Sequence, residues 1–228
     1  MNIIVTGAGQ GIGFQVVKKL INNSCDIYAI SRNAENLAKL KNECENLKKD
    51  CSINIIPADI KSPESISFPK GHIDILINNA AVLINRPFEK CSEQEEKEIF
   101  ETNFFAQARL IRHLLPQMGG EKHTHIVNIG SMGGFQGSSK FNGLSMYSAS
   151  KAALACLTEC LAAEFSNRNI FVNCLALGSV NTEMLRTAFP DYHANTEAEE
   201  MAEYIATFAL NGYKQYNGKI LPVARSTP

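Results

Sequence analysis

The chain is 228 residues long and 45% hydrophobic, with 22 basic against 23 acidic side chains and a formal charge of −1. A chain of this length buries roughly 70–75% of its unfolded surface, enough for a full core without disulfide staples. The balanced charge excludes a basic field for nucleic acid or anionic membrane, and no apolar run approaches the ~20 residues of a membrane-spanning helix.

Residues 2–5 read as a short buried strand. It runs straight into Thr6-Gly7-Ala8-Gly9-Gln10-Gly11-Ile12-Gly13 and an amphipathic helix through Leu20. In that context Gly7 can make the tight turn, Gly11 can let the backbone approach a pyrophosphate, and Gly13 can let the helix pack close on the strand, with the phosphates at the helix's positive end. A glycine-rich turn with no ligand is the alternative, but the strand-to-helix setting is what a phosphate cradle requires. Residues 26–31 form a second strand, 33–48 a helix with Leu37, Leu40, Cys44 and Leu47 inward, and 53–57 a third strand. After a short excursion through Ser62-Pro63-Glu64, residues 73–77 are a fourth strand. Ser92-Glu93-Gln94-Glu95 has the form of a capping box and opens a helical stretch that runs, with room for one break, toward Pro116. Next come a strand at 125–129, the helix bearing Tyr147, a strand at 170–175, a helix at 199–210 and a last strand at 220–223.

This alternation predicts one α/β domain over residues 1–228, three-layered and doubly wound on a parallel sheet of about seven strands. Ligands of such sheets bind outside the carboxyl ends of the strands, where the winding reverses. Asn78-Asn79-Ala80-Ala81, Gly130-Ser131-Met132-Gly133-Gly134 and Leu177-Gly178-Ser179-Val180-Asn181-Thr182 all follow predicted strands and fall at that edge. Each alone is an ordinary turn composition; their convergence on one edge marks a site.

Tyr147 and Lys151 stand one helical turn apart in Tyr147-Ser148-Ala149-Ser150-Lys151, so both project from one face. A phenol with a reference pKa near ~10 is a poor proton shuttle, and a neighbouring ammonium pulls that value toward neutrality. Ser131 is placed to face a substrate oxygen together with Tyr147.

Seven cysteines, an odd number with no Cys-x-x-Cys pair, argue against a disulfide framework or a metal site. Cys156 and Cys160 share a helix face whose small apolar neighbours suggest buried packing. His123 and His125 could face one side of a strand, but no carboxylate or thiolate lies close by in sequence, and solvent at a strand entry is their expected setting. The immediate first strand leaves no room for a leader, so a cytoplasmic protein is expected.

Taken together, Thr6-Gly7-x-x-x-Gly11-x-Gly13, Asn78-Asn79-Ala80 and the ordered set Asn103, Ser131, Tyr147, Lys151 resemble the short-chain dehydrogenase/reductase family along nearly the whole chain. A weaker similarity points to its 3-oxoacyl-acyl-carrier-protein reductases. The resemblance implies a Rossmann fold and hydride transfer between a nicotinamide and a carbonyl or alcohol. It implies Tyr147 as general acid/base, Ser131 as its partner on the substrate oxygen, Lys151 lowering the tyrosine pKa and holding the nicotinamide ribose, and Asn103 supporting a water relay. The cofactor set it implies is Thr6, Gly7, Gly9, Gln10, Gly11, Ile12, Gly13, Ser31, Arg32, Asp59, Ile60, Asn79, Ala80, Ala81, Tyr147, Lys151, Gly178, Val180 and Thr182.

Ile30-Ser31-Arg32-Asn33 carries no acid for ribose hydroxyls, and Arg32 suits a 2′-phosphate, which favours NADP(H) over NAD(H). Small residues on the helices around Asn103 and Ala152 imply, by the same resemblance, a homodimer or homotetramer. Leu177 stands where the family usually has Pro, Ala81 where Gly is common, and the run 223–226 lacks Asp-Gly-Gly. Residues 182–199, where the family builds a lid, are few and include Met184, Leu185, Phe189, Pro190 and Tyr192. The rival readings are an NAD-dependent dehydrogenase and a catalytically silent dinucleotide-binding regulator.

Overall fold

A computed structural model describes residues 1–21, 23–47 and 51–225. Seven strands, all paired in parallel, form one sheet in the order β3-β2-β1-β4-β5-β6-β7. The strands are β1 Asn2–Thr6, β2 Asp26–Ser31, β3 Ser52–Pro57, β4 Ile75–Asn78, β5 Thr124–Ser131, β6 Ile170–Leu177 and β7 Ile220–Val223. The helices are α1 Gly11–Leu20, α2 Ala34–Leu47, α3 Glu93–Phe100, α4 Ala106–Leu114, α5 Ser145–Glu164, α6 Glu183–Ala188 and α7 Ala198–Asn211. The chain winds outward from β1 through β2 to β3, returns past β1 to β4, and then winds the other way. That reversal, between β1 and β4, opens a crevice at the carboxyl ends of the two central strands.

Strand alternation supplies both faces of the sheet with apolar surface. Ile3 and Val5 join one core with Val16, Val17 and Leu20 of α1, Leu37, Leu40 and Cys44 of α2, and Ile205 and Phe208 of α7. Ile4 points the other way and packs with Leu76, Ile126, Val172, Leu110 and Leu114 of α4, and Phe165 just past α5. Each fully buried Leu or Ile stabilises the fold by roughly 1.5–3 kcal/mol relative to leaving it in water. The expected inward faces of Leu37, Leu40 and Cys44 are found; the Leu47 side chain and the helix end at Lys48 lie outside what is described.

Between Ser92 and Pro116 the expected break takes a specific form. Ser92 accepts from the Glu95 amide while Glu95 accepts from the Ser92 amide, closing the capping box. The chain then passes through a π-helical segment, Glu101–Phe105, before α4 resumes. Such a segment inserts one extra residue per turn and rotates the faces on either side of it. Asn103 sits inside it, fully buried.

Two expectations are overturned by what covers each side chain. Cys156 and Cys160 are exposed, because α5 buries Leu154, Ala155, Thr158 and Ala162 instead and turns its other small-residue face outward. His125 is fully buried rather than solvent-facing, because α7 and the following turn close over β5. Its Nδ1 lies 2.9 Å from the Ala209 carbonyl and its Nε2 3.1 Å from the Asn173 amide nitrogen. The carbonyl can only accept and the amide nitrogen only donate, so the network assigns a neutral ring with its proton on Nδ1. His123 stacks on Tyr213 at 3.9 Å between ring centroids.

Burial pushes the His125 pKa down from 6.5 to about 4, against the opposing pull of the Ala209 carbonyl. Its folded value lies below its unfolded one, so the stability tied to the neutral ring is complete above pH 6.5 and is lost as pH falls toward 4. The total over that window is on the order of 3 kcal/mol. In urea titrations the parent protein should therefore lose midpoint steadily across the window, and His125→Gln should lose distinctly less; equal slopes would exclude His125 as the cause.

Candidate active site

The crevice begins where β1 turns into α1. Gly7 and Gly11 adopt φ of 67° and 55°, a region open to glycine at little cost. At Gly13 a β-carbon would fall 2.4 Å from the Gly7 carbonyl oxygen and 2.5 Å from Asn79 Nδ2, so the helix reaches the turn only without a side chain. At Gly9 a β-carbon would meet Ser31 Oγ at 2.5 Å, which brings the second strand's end over the loop.

Thr6 and Asn79 clamp this loop from below. Thr6 Oγ1 accepts from the amides of Asn79 and Ala80 at 3.0 and 3.1 Å and donates to Ile77, while Asn79 Nδ2 donates to the carbonyls of Thr6 and Gly7. Gln107 of α4 donates to the Ala80 carbonyl at 2.8 Å from the opposite side. The Gln10 side chain makes no cap bond to α1 and no acid occupies the first turn, so the helix presents uncapped amides to the crevice.

A cavity of about 710 Å³ extends from this turn along the sheet edge. Of the residues expected at the site, Gly7, Gln10, Gly11, Ile12, Ser31, Arg32, Asp59, Ile60, Asn79, Ala80, Ala81, Ser131, Tyr147, Lys151, Gly178, Val180 and Thr182 line it. Thr6, Gly9 and Gly13 do not; they shape the wall from behind. Asn103 is also outside the lining. Its Oδ1 accepts from the Val82 amide, and its Nδ2 donates to the Val82 carbonyl and to Ser150 Oγ, so the side chain ties the loop after β4 to α5.

Ser131 ends β5, and its hydroxyl accepts from the Gly133 amide at 3.1 Å, which fixes its rotamer at the cavity wall. Tyr147 is partly buried in the first turn of α5 and faces the same cavity. Lys151, one turn on, is 2% exposed. Its ammonium donates to the Ile129 carbonyl at 2.8 Å and lies 5.9 Å from the Tyr147 ring centroid. Burial pushes the Lys151 pKa down to about 8, opposed by Cys174 behind it. Burial also raises the Tyr147 pKa, opposed by the Ser131 side chain. The sequence predicts a tyrosine lowered by Lys151; in this arrangement the ammonium is turned to a backbone carbonyl and desolvation prevails.

At Leu177 the absent proline is offset by strand pairing. The residue continues β6, in register with Ser131 on one side and Val223 on the other, and the Gly178 amide donates to the Val223 carbonyl at 2.9 Å. The stretch where a lid was expected contains the short helix α6, capped by Thr182, whose Oγ1 accepts from the Leu185 amide. Residues not singled out from the sequence also line the cavity, among them Asn36, Lys61, Leu83 and Phe141. Lys61 lies two residues past Asp59 and was within reach of the motif; Leu83 and Phe141 sit in irregular loops with no periodic signal.

The cradle fits a dinucleotide: the close glycine approaches and the uncapped helix end leave room and donors for a pyrophosphate, and two hydroxyls face one point further along the sheet edge. Residues 1–193 match the family described as short chain dehydrogenase. The chain is 30% identical over 212 residues to a fatty acyl-CoA reductase of Acinetobacter baylyi, covering 89% of this chain and 70% of that one. It is 28% identical over 232 residues to the 3-oxoacyl-acyl-carrier-protein reductase FabG of Escherichia coli, covering 96% and 94%. Among solved structures, a 3-ketoacyl-acyl-carrier-protein reductase from Brucella melitensis complexed with NADH superposes with a TM-score of 0.84 at 20% identity, covering 97% and 96%.

Proposed function

The chain belongs to the short-chain dehydrogenase family, and on that premise we propose that it is an NADP(H)-dependent oxidoreductase of carbonyl and alcohol groups with Tyr147 as its general acid and base. The observation that carries the reading is the meeting of Ser131, Tyr147 and Lys151 on one cavity that also contains the glycine turn. The bound nicotinamide supplies the hydride in reduction and takes it in oxidation.

The chain's own residues do the rest. As a carbonyl is reduced, negative charge grows on its oxygen, and the hydroxyls of Ser131 and Tyr147 stabilise that charge more than they stabilise the ground state. Tyr147 then gives up its proton. The burial that raises its pKa keeps the phenol protonated at neutral pH, which suits a proton donor and the reductive direction. Lys151, with a pKa near 8, is poised to return a proton to the site close to neutrality. A silent regulator would have no need of a lysine buried beside that tyrosine, given the cost of desolvating it.

Arg32 supports the NADP(H) reading. It is exposed, lines the cavity beyond the glycine turn, and makes no ion pair among the described residues, and no carboxylate ends β2. NAD(H) use by the same site is the second reading, and the NADH-bound neighbour favours it. A cytoplasmic location is in keeping with seven free cysteines. Among the described residues no helix is long and apolar enough to cross a membrane. The outward stripe of Ala149, Ala152, Cys156, Cys160 and Ala163 on α5, with Phe105 47% exposed on the π segment that packs against α5, supports a homo-oligomer.

Three measurements test these readings. In a small ketone panel, Tyr147→Phe should lower kcat by roughly 10²- to 10⁴-fold while cofactor affinity, followed by nicotinamide fluorescence, stays close to the parent value; retained turnover excludes Tyr147 as the acid. Arg32→Ala should raise KM for NADPH by about 10- to 100-fold and leave KM for NADH near its starting value, and a parent protein that prefers NADH reverses the assignment. Light scattering at micromolar concentration should return two or four times the chain mass; a single chain mass excludes the oligomer.

A further inference from the structure

We infer that the substrate end of the cavity selects neutral carbonyl compounds with an apolar body and rejects those carrying an anion beside it. This rests on the reading that Ser131 and Tyr147 hold the reacting oxygen. Around that point the walls are Leu83 from the loop after β4, Phe141 and Leu144 from the loop before α5, and Met184, Leu185 and Phe189 in and after α6. The polar groups that reach the same end are largely satisfied by one another: Ser179 Oγ and the Tyr192 hydroxyl lie 2.8 Å apart.

The distribution of charge is one-sided. Arg32 and Lys61 line the cavity at the ends of β2 and β3, three and four strands away from Ser131 on β5. At about 4.8 Å per strand the nearer of them is roughly 14 Å off. Lys151 has its ammonium on the Ile129 carbonyl. Three cations carried by the segments that build the substrate end are engaged outside the lining. Arg86 pairs with Glu95 at 2.8 Å, Lys140 donates to the Phe135 carbonyl at 2.7 Å, and Arg186 donates to Asn181 Oδ1 at 2.7 Å. Glu183, at the start of α6 next to Thr182, also lines the cavity. A carboxylate on the substrate would leave water and find no cation but the buried Lys151 ammonium already bonded to the Ile129 carbonyl, whereas an alkyl or aryl body meets aromatic and aliphatic walls.

The test uses unreactive amides, whose neutral carbonyl stands in for that of the substrate. Protein loaded with oxidised cofactor is titrated by calorimetry with butanamide, hexanamide and octanamide and with the matching carboxylates. Affinity should rise about three- to fourfold per methylene along the amides, and each carboxylate should bind roughly tenfold or more weakly than its amide. Phe189→Ser should flatten the dependence on chain length, and Glu183→Lys should bring the carboxylates toward the amides. Carboxylates that bind as well as amides, affinities flat with length, or no amide binding at all would each overturn the inference. Turnover of the matching 2-alkanones separates the two readings. Graded amide binding without ketone reduction removes the catalytic assignment and leaves the selectivity standing; reduction that ignores chain length does the reverse.

Discussion

The crevice depends on a backbone contact that excludes side chains. The turn after β1 approaches the segment after β4 so closely that a β-carbon at Gly7 would lie 2.8 Å from the Ala80 backbone and one at Gly13 would strike the turn itself. A threonine hydroxyl and an asparagine amide then lock the two segments at that distance through five hydrogen bonds between residues 6–7 and 77–80. Thr6 and Asn79 thus act as braces for the wall, and their chemistry is spent on geometry. Because β1 and β4 are the strands between which the winding reverses, this one contact sets where the crevice opens and how far the residues of β5 and β6 stand from the glycine turn.

Burial, more than pairing, governs the electrostatics along that edge. Tyr147 is held toward its neutral form and Lys151 is drawn down toward neutrality, each by the removal of water. The two groups are driven apart in proton affinity without a direct bond between them, the phenol holding its proton more tightly and the ammonium less. Asn103 contributes from outside the cavity by holding Val82 and Ser150, and so the loop after β4 and α5, in fixed relation.

Most of the layer order was legible in the sequence because the central strands are covered on both faces and stand out as apolar runs between turn residues; β2, for example, spans the predicted 26–31. The capping box at Ser92 was legible for a local reason, since both of its partners lie within one turn. What escaped depended on distant coverage. His125 is polar in sequence yet buried by α7, which follows it by more than seventy residues, and no local pattern reports that. Cys156 and Cys160 sit on a helix with apolar or small residues on several faces, so composition could not say which face turned inward. The glycine turn and the Ser131, Tyr147, Lys151 set were legible because motif spacing mirrors chain geometry, whereas Phe141 and Leu83 come from loops whose path is set by tertiary contact.

The π-helical segment carries a lesson for reading gaps among relatives. Its extra residue is what lets Asn103 turn inward between Val82 and Ser150 while α4 still lays Leu110 and Leu114 on the sheet. Removing one residue from 101–105 would regularise the helix and advance everything beyond it by ~100°. Either the amide bridge or the packing of α4 would then be lost, so an alignment that trims this stretch to tidy a helix discards the register on which both depend.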